Sequence, residues 1–157
     1  MSRSLGPALP PDLQKRLSQQ DLPRLLGRAL PLLTVDDRGR PHPMLCSYLE
    51  LLAVSATVIR VAIGARSGAR RNLEARGVAT LLVVEPDTTI YIKCRASGAP
   101  RLSDGLARFE LLVEDVLEDE AAEGEAGARI TGGLTYAPVP ALDSEWARAV
   151  LAALRLE

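Results

Sequence analysis

Six short runs of strand-forming residues crowd between residues 29 and 118, and no long helical pattern separates them. This spacing constrains the fold more than any other feature. VATLLVV, residues 78–84, is apolar on both faces and predicts a central strand. TTIYIKCRA, residues 88–96, sets Ile90, Ile92, Cys94 and Ala96 against Thr89, Tyr91, Lys93 and Arg95. That alternation is the signature of a half-buried antiparallel strand. Three runs precede them: ALPLLTV at 29–35, PHPMLCSYLELL at 41–52 and the β-branched ATVIRVAIG at 56–64. DDRGR, between the first two, reads as a turn. GLARFELLVEDVL at 105–117 fits both an alternating strand and a helical stripe. We read it as a strand because its neighbours are strands. Closely spaced strands joined mostly by short turns predict a barrel, so the expected class is mainly β, antiparallel and six-stranded, with flanking helices.

The flanks read differently. Pro10 to Arg28 carries leucines at 13, 17, 22, 25 and 26, with Pro11 placed for a first helical turn. Pro23 is expected to split this stretch into two short helices. Asp143 to Leu156 reads as a helix capped by Asp143 or Ser144. The chain of 157 residues is therefore expected to form one domain. It has a helical segment at 1–28, a barrel core at 29–118, and an irregular segment with a terminal helix at 119–157.

Charge bears on function. The net charge is −1, from 19 basic and 20 acidic residues, and aromatic residues are only 3%. Neither a basic footprint nor a set of stacking rings is supplied, so nucleic-acid binding is not expected. No apolar stretch is long enough to span a bilayer, and MSRSLGPALPP lacks a signal-type apolar region. A cytoplasmic location is the expectation, with no membrane partner. Cys46 and Cys94 are expected as free, buried thiols.

The chain is poor in chemical constellations. It has a single histidine, His42, and two cysteines, too few for a structural zinc site. On a strand, His42 and Cys46 would share a face but lie about 13 Å apart, at about 3.3 Å per residue. His42 and Ser47 would point to opposite faces, which argues against a serine–histidine dyad. No metal is expected, and no catalytic residue is assigned. Difficult chemistry would have to come from a cofactor.

One charged stretch stands out. Arg60 to Arg76 holds five arginines and one glutamate, whereas Glu110 to Glu125 holds eight acids and no base. The acidic stretch is expected as a solvated loop. Within GARSGARRNL, residues 64–73, Ser67 is a natural helix N-cap. Arg70 and Arg71 then fall in the first turn, where a cation opposes the helix dipole by about 0.3–1 kcal/mol. A bound anion reverses that sign, because exposed amides, a hydroxyl and guanidinium groups together suit a phosphate. The other reading is a solvated basic helix facing the acidic loop, and residue types alone leave both open.

The order TVDDRGRPHPML, IRVAIGARSGARRNL, VATLLVV resembles the pyridoxamine 5′-phosphate oxidase-like, FMN-binding split-barrel proteins. The resemblance spans roughly residues 25–118. It rests on a DxxGxPH hairpin, an SxxxRNL element and the apolar strand behind it. It implies a six-stranded antiparallel split β-barrel of the FMN-binding type, a homodimer, and FMN at the subunit interface. Met44, Leu45 and Ser47 would then lie along the flavin. Ala62 and Ile63 would approach the ribityl phosphate, and Arg66, Ser67, Arg71 and Asn72, with Arg70 less central, would hold it. The implied function is an FMN-dependent oxidoreductase acting on a small molecule. The alternative is a non-catalytic barrel holding a flavin, a deazaflavin or haem, with His42 as the available axial imidazole. Gly68 and Ala69 stand where the true oxidase has a basic pair after the serine. Met44 and Leu49 replace its arginine and lysine, and its C-terminal substrate signature is missing. The resemblance thus points to a divergent flavoprotein rather than to pyridoxamine phosphate oxidation.

Overall fold

Strand-forming residues on both sides of tight turns pair into one antiparallel sheet, seen in a computed structural model that describes residues 2–86, 88–120, 124 and 127–157. The six predicted runs form its main strands: β2 (Arg28–Val35), β3 (Pro41–Ser47), β5 (Val58–Gly64), β6 (Val78–Glu85), β7 (Thr88–Ala96) and β9 (Leu106–Asp119). Four shorter strands join them: β1 (Ser2–Gly6), β4 (Leu51–Ala53), β8 (Arg101–Ser103) and β10 (Leu134–Thr135). The sheet runs β10-β2-β6-β7-β9-β5-β4, with β3 on β2 and both β1 and β8 on β9. It curls into a split half-barrel with flanking helices, as the resemblance implied.

The alternation sets the interior. Leu32, Leu81, Ile92, Phe109, Leu111, Ile59 and Val61 are fully enclosed. The doubly apolar run is central, since β6 pairs with both β2 and β7. Its second face is half-buried rather than enclosed. The ambiguous run is strand throughout. Its length hides a bulge: Lys93 pairs with Asp115 but Cys94 pairs with Val113. The inward face therefore steps from Val113 to Val116, and Asp115 does not continue it.

Other expectations need correction. The second run is interrupted, because Tyr48–Glu50 form a 3-10 turn between β3 and β4. Its capping box has the Ser47 hydroxyl and amide both donating to Glu50 Oε2, at 2.9 and 2.7 Å. The N-terminal helices are α1 (Pro11–Leu17) and α2 (Leu22–Leu25), but Pro23 is not the break. The chain turns before it, at Gln19 with φ of 65°, and Pro23 sits in the first turn of α2, where no amide is missed. Residues Glu110 to Asp119 are strand, not solvated loop, and their acids meet basic partners: Glu110 with Arg60, Glu114 with Arg95, Glu118 with Arg3. Residues 121–123, 125 and 126 of the acidic stretch lie outside the described residues.

Two more helices lie among the described residues. α3 (Gly68–Arg76) packs chiefly against β2, with further contacts to β3, β5 and β6, and α4 (Glu145–Arg155) packs over β5, β9 and the 3-10 turn. α4 is capped by the Ser144 hydroxyl, which accepts from the Ala147 amide. Ala147, Val150, Ala153 and Leu154 are its buried residues, and Trp146 is exposed. Among the described residues no helix is long and apolar enough to cross a membrane.

Candidate functional site

The turn from β5 into α3 builds the arginine cluster. β5 ends at Gly64; the Ala65 amide then donates to Gly105 O at 2.8 Å and the Ser67 amide to Gly64 O at 3.0 Å. Ser67 is the N-cap, its hydroxyl accepting from the Arg70 amide at 3.1 Å. Gly77, with φ of 68°, ends the helix in the left-handed conformation that glycine adopts without strain. These local rules place the positive end of a helix where Arg66, Ser67 and Arg71 meet.

The arginines divide by partner. Arg70 is committed inward: its Nη1 donates to Ala65 O at 2.7 Å, and its Nε and Nη2 reach Glu74 Oε1 at 3.1 and 3.0 Å. It braces the turn and offsets its own charge. Arg71 is exposed and, among the described residues, its side chain donates only to the Arg66 carbonyl, at 3.2 Å. Arg66 is exposed too, and neither has a carboxylate partner among the described residues. Asn72 points away from the helix start, its Nδ2 donating to Thr34 Oγ1 at 2.9 Å, and so fastens α3 to β2.

His42 joins this cluster, a placement the sequence did not signal. A Cβ on Gly68 would stand 3.2 Å from His42 Nε2 and 3.7 Å from Arg71 Nη2. The imidazole therefore rests against the first residue of α3, and a Cβ there would push it back by a few tenths of an ångström. Strand register supplies the placement, since His42 pairs with Thr34, the residue Asn72 holds.

The other candidates are spread along the strands. Met44 pairs with Leu32 and is half-buried against the core, whereas Leu45, opposite Pro31, is 60% exposed. Ser47 is buried, with its hydroxyl taken by Glu50. Burial pushes the Glu50 carboxyl up, against the two bonds from Ser47 that lower it. Ala62 and Ile63 are buried at the end of β5, so any contact they make with a ligand on the turn is through the backbone. His42 and Cys46 pair with Thr34 and Leu30, well separated along β2.

A second element is an open cavity of about 640 Å³ on the outer face of β2, β6 and β7. Leu33, Val35, Val78 and Leu82 give it an apolar floor, with Tyr91 and Lys93 at the side. Lys93 Nζ donates to Thr80 Oγ1 at 3.3 Å. Desolvation, then nearby Asp119, pushes the Tyr91 hydroxyl up, so it remains a donor at neutral pH. The cavity reaches Thr34 and Pro41, which adjoin the His42 cluster. The alternation of TTIYIKCRA and the two apolar faces of VATLLVV were its only signals in the sequence.

No family model matches the chain. The protein YclD of Bacillus subtilis, itself uncharacterised, is 31% identical over 107 residues, which cover 65% of this chain and 70% of that one. Solved structures share the fold at low identity. A proposed pyridoxamine 5′-phosphate oxidase from Lactobacillus delbrueckii aligns with a TM-score of 0.58 at 13% identity, covering 73% of this chain and 98% of that one. An FMN-binding protein from Syntrophomonas wolfei aligns at 0.55 and 12% identity, covering 71% and 89%. HupZ from Group A Streptococcus aligns at 0.51 and 14%, covering 64% and 98%. The chain belongs to the same family as YclD, and it shares the split-barrel fold of these solved structures.

Proposed function

We propose that this protein binds FMN and acts as a flavin-dependent oxidoreductase on a small molecule. The observation that carries the reading is the start of α3. A capped helix end, the His42 imidazole and two exposed arginines without carboxylate partners among the described residues converge there. That donor set suits a phosphate monoester. Arg66, Ser67 and Arg71 would hold the phosphate, and Gly68 would let His42 approach it. Arg70 and Asn72 would support the turn rather than touch the ligand, since both are already engaged. The apolar cavity beside Thr34 and Pro41 suits a flat ring. The flavin, when bound, would supply the redox chemistry, and the protein would orient it and exclude water.

A homodimer is part of this proposal. Leu33, Val35, Val78 and Leu82 leave an apolar outer face that a second copy would cover, completing the walls of the cavity. Sedimentation at micromolar concentration should find a dimer, and a folded monomer would refute that part.

The test of the cofactor is discrimination between FMN and riboflavin, which differ by the phosphate. A hydrogen bond to a charged group contributes about 1.5–3 kcal/mol, or about ten- to a hundredfold in affinity. Arg71 is exposed, so screening places its share near the lower end. Arg71→Ala should weaken FMN about tenfold, leave riboflavin nearly unchanged, and reduce the salt dependence of FMN binding. Equal affinity of the wild type for the two flavins would refute the phosphate site. The visible spectrum of the purified protein would separately reveal haem or a deazaflavin in place of FMN.

A further inference from the structure

The N-terminal helices build a second charged site, away from α3. α1, α2 and the first residue of β2 line an open cavity of about 340 Å³. Its walls carry Lys15, Arg16, Arg24 and Arg28 beside Asp12 and Asp21. Positions 12, 15 and 16 share one side of α1, by the three- and four-residue spacing of a helix. The turn before α2 then brings Asp21 and Arg24 across from them.

Beneath two of the cations lies Glu85, at the end of β6 and only 5% exposed. Its Oε2 accepts from Arg28 Nη1 at 2.5 Å. Its Oε1 accepts from the Tyr48 hydroxyl at 2.9 Å and stands 3.5 Å from Arg16 Nη1. A buried carboxylate is tolerated only when paired in this way. One negative charge thus holds two guanidinium groups in place from below. Their side chains remain 37% and 41% exposed, for Arg16 and Arg28, and each keeps further N–H groups for a ligand. Lys15 and Arg24 are exposed on the rim, with no side-chain hydrogen bond or ion pair among the described residues. Counting Glu85, four cations face three carboxylates, so the site carries one excess positive charge.

We propose that this cavity binds a small, multiply charged oxyanion, the phosphate or pyrophosphate group of a small molecule. Arg16 and Arg28 hold it from the floor, pre-oriented by Glu85, and Lys15 and Arg24 close on it from the rim. Asp12 and Asp21 supply acceptors for hydroxyl or ammonium groups on the rest of the ligand. The site is separate from the α3 cluster. Arg28 and Thr34 are six residues apart on β2, or about 20 Å at about 3.3 Å per residue.

Calorimetric titration of the full chain with inorganic pyrophosphate tests this, using the wild type, a Lys15→Gln/Arg24→Gln double variant and Arg71→Ala. The two rim side chains make no hydrogen bond or ion pair among the described residues, so the double variant should melt close to the wild type. Saturable binding is expected in the wild type and in Arg71→Ala. In the double variant it should be weaker by about tenfold or more, as expected for lost charge-assisted bonds. If α3 binds pyrophosphate as well, two sites should fall to one in either variant. The proposal is overturned if the wild type shows no saturable binding. It is equally overturned if the double variant binds as the wild type does, or if Arg71→Ala alone abolishes binding.

Discussion

Replacing Tyr48 with phenylalanine removes one oxygen from a buried polar contact. The ring is fully buried and its hydroxyl donates to Glu85 Oε1 at 2.9 Å. Phenylalanine keeps the packing, so the change isolates the hydrogen bond. Without it, Oε1 retains only Arg16 at 3.5 Å, beyond good hydrogen-bond geometry. Glu85 is almost inaccessible to water, so solvent does not replace the lost donor. A hydrogen bond to a charged group contributes about 1.5–3 kcal/mol, and Tyr48→Phe should cost about that much. In a domain of this size the melting point should fall by about 3–12 °C. Urea unfolding at one fixed protein concentration measures the cost, as a lower midpoint with an unchanged slope. A Glu85→Ala background makes the test sharper. There the hydroxyl is buried without its acceptor, and removing it should be neutral or stabilising. The same cost in both backgrounds would refute the pairing, as would a single variant within about 0.5 kcal/mol of the wild type. The sign with pH is also determined. Burial, then Glu85, raises the Tyr48 hydroxyl above its ordinary 10.0. Its contribution is therefore complete below pH 10.0 and is lost as pH rises beyond it. Tyr48→Phe should show less alkaline destabilisation than the wild type.

Ser67→Ala should cost about 1 kcal/mol in urea unfolding, because the Arg70 amide loses its cap acceptor. Under the proposed function it should also weaken FMN binding. The two thiols should stay silent to a disulfide reagent at mildly alkaline pH and react only after denaturation. Both are buried, with Cys94 pushed up to about 12 and Cys46 pushed up as well, chiefly by desolvation. Rapid native labelling of either would show that the barrel opens.

The barrel was legible because its strands advertise themselves locally. Alternation with period two, β-branched runs and turn residues determined the six main strands. The same locality carried Ser67 as a cap, Gly77 as a stop and Ser144 as one of two cap candidates. The short strands were not legible. β1 is fully polar or small apart from Leu5, and it is a strand only because β9 offers it an edge. The bulge at Lys93/Cys94 was equally hidden, since one extra residue leaves the pattern readable on either side of it.

The sequence by itself thus determined the fold class, the helix at Ser67 and the presence of arginines around its start. Only the tertiary structure decided which of those arginines are available. Arg70 spends its donors on Ala65 and Glu74, while Arg66 and Arg71 do not, and no residue type distinguishes them. Likewise, Gly68 and His42 are 26 positions apart, and only the pairing of β3 with β2 beneath α3 brings them together. The same holds for Glu85, which strand order sets between Tyr48, Arg16 and Arg28. Side-chain type and local spacing act over a few residues, whereas charge pairing, burial and access depend on which distant segments the sheet brings side by side.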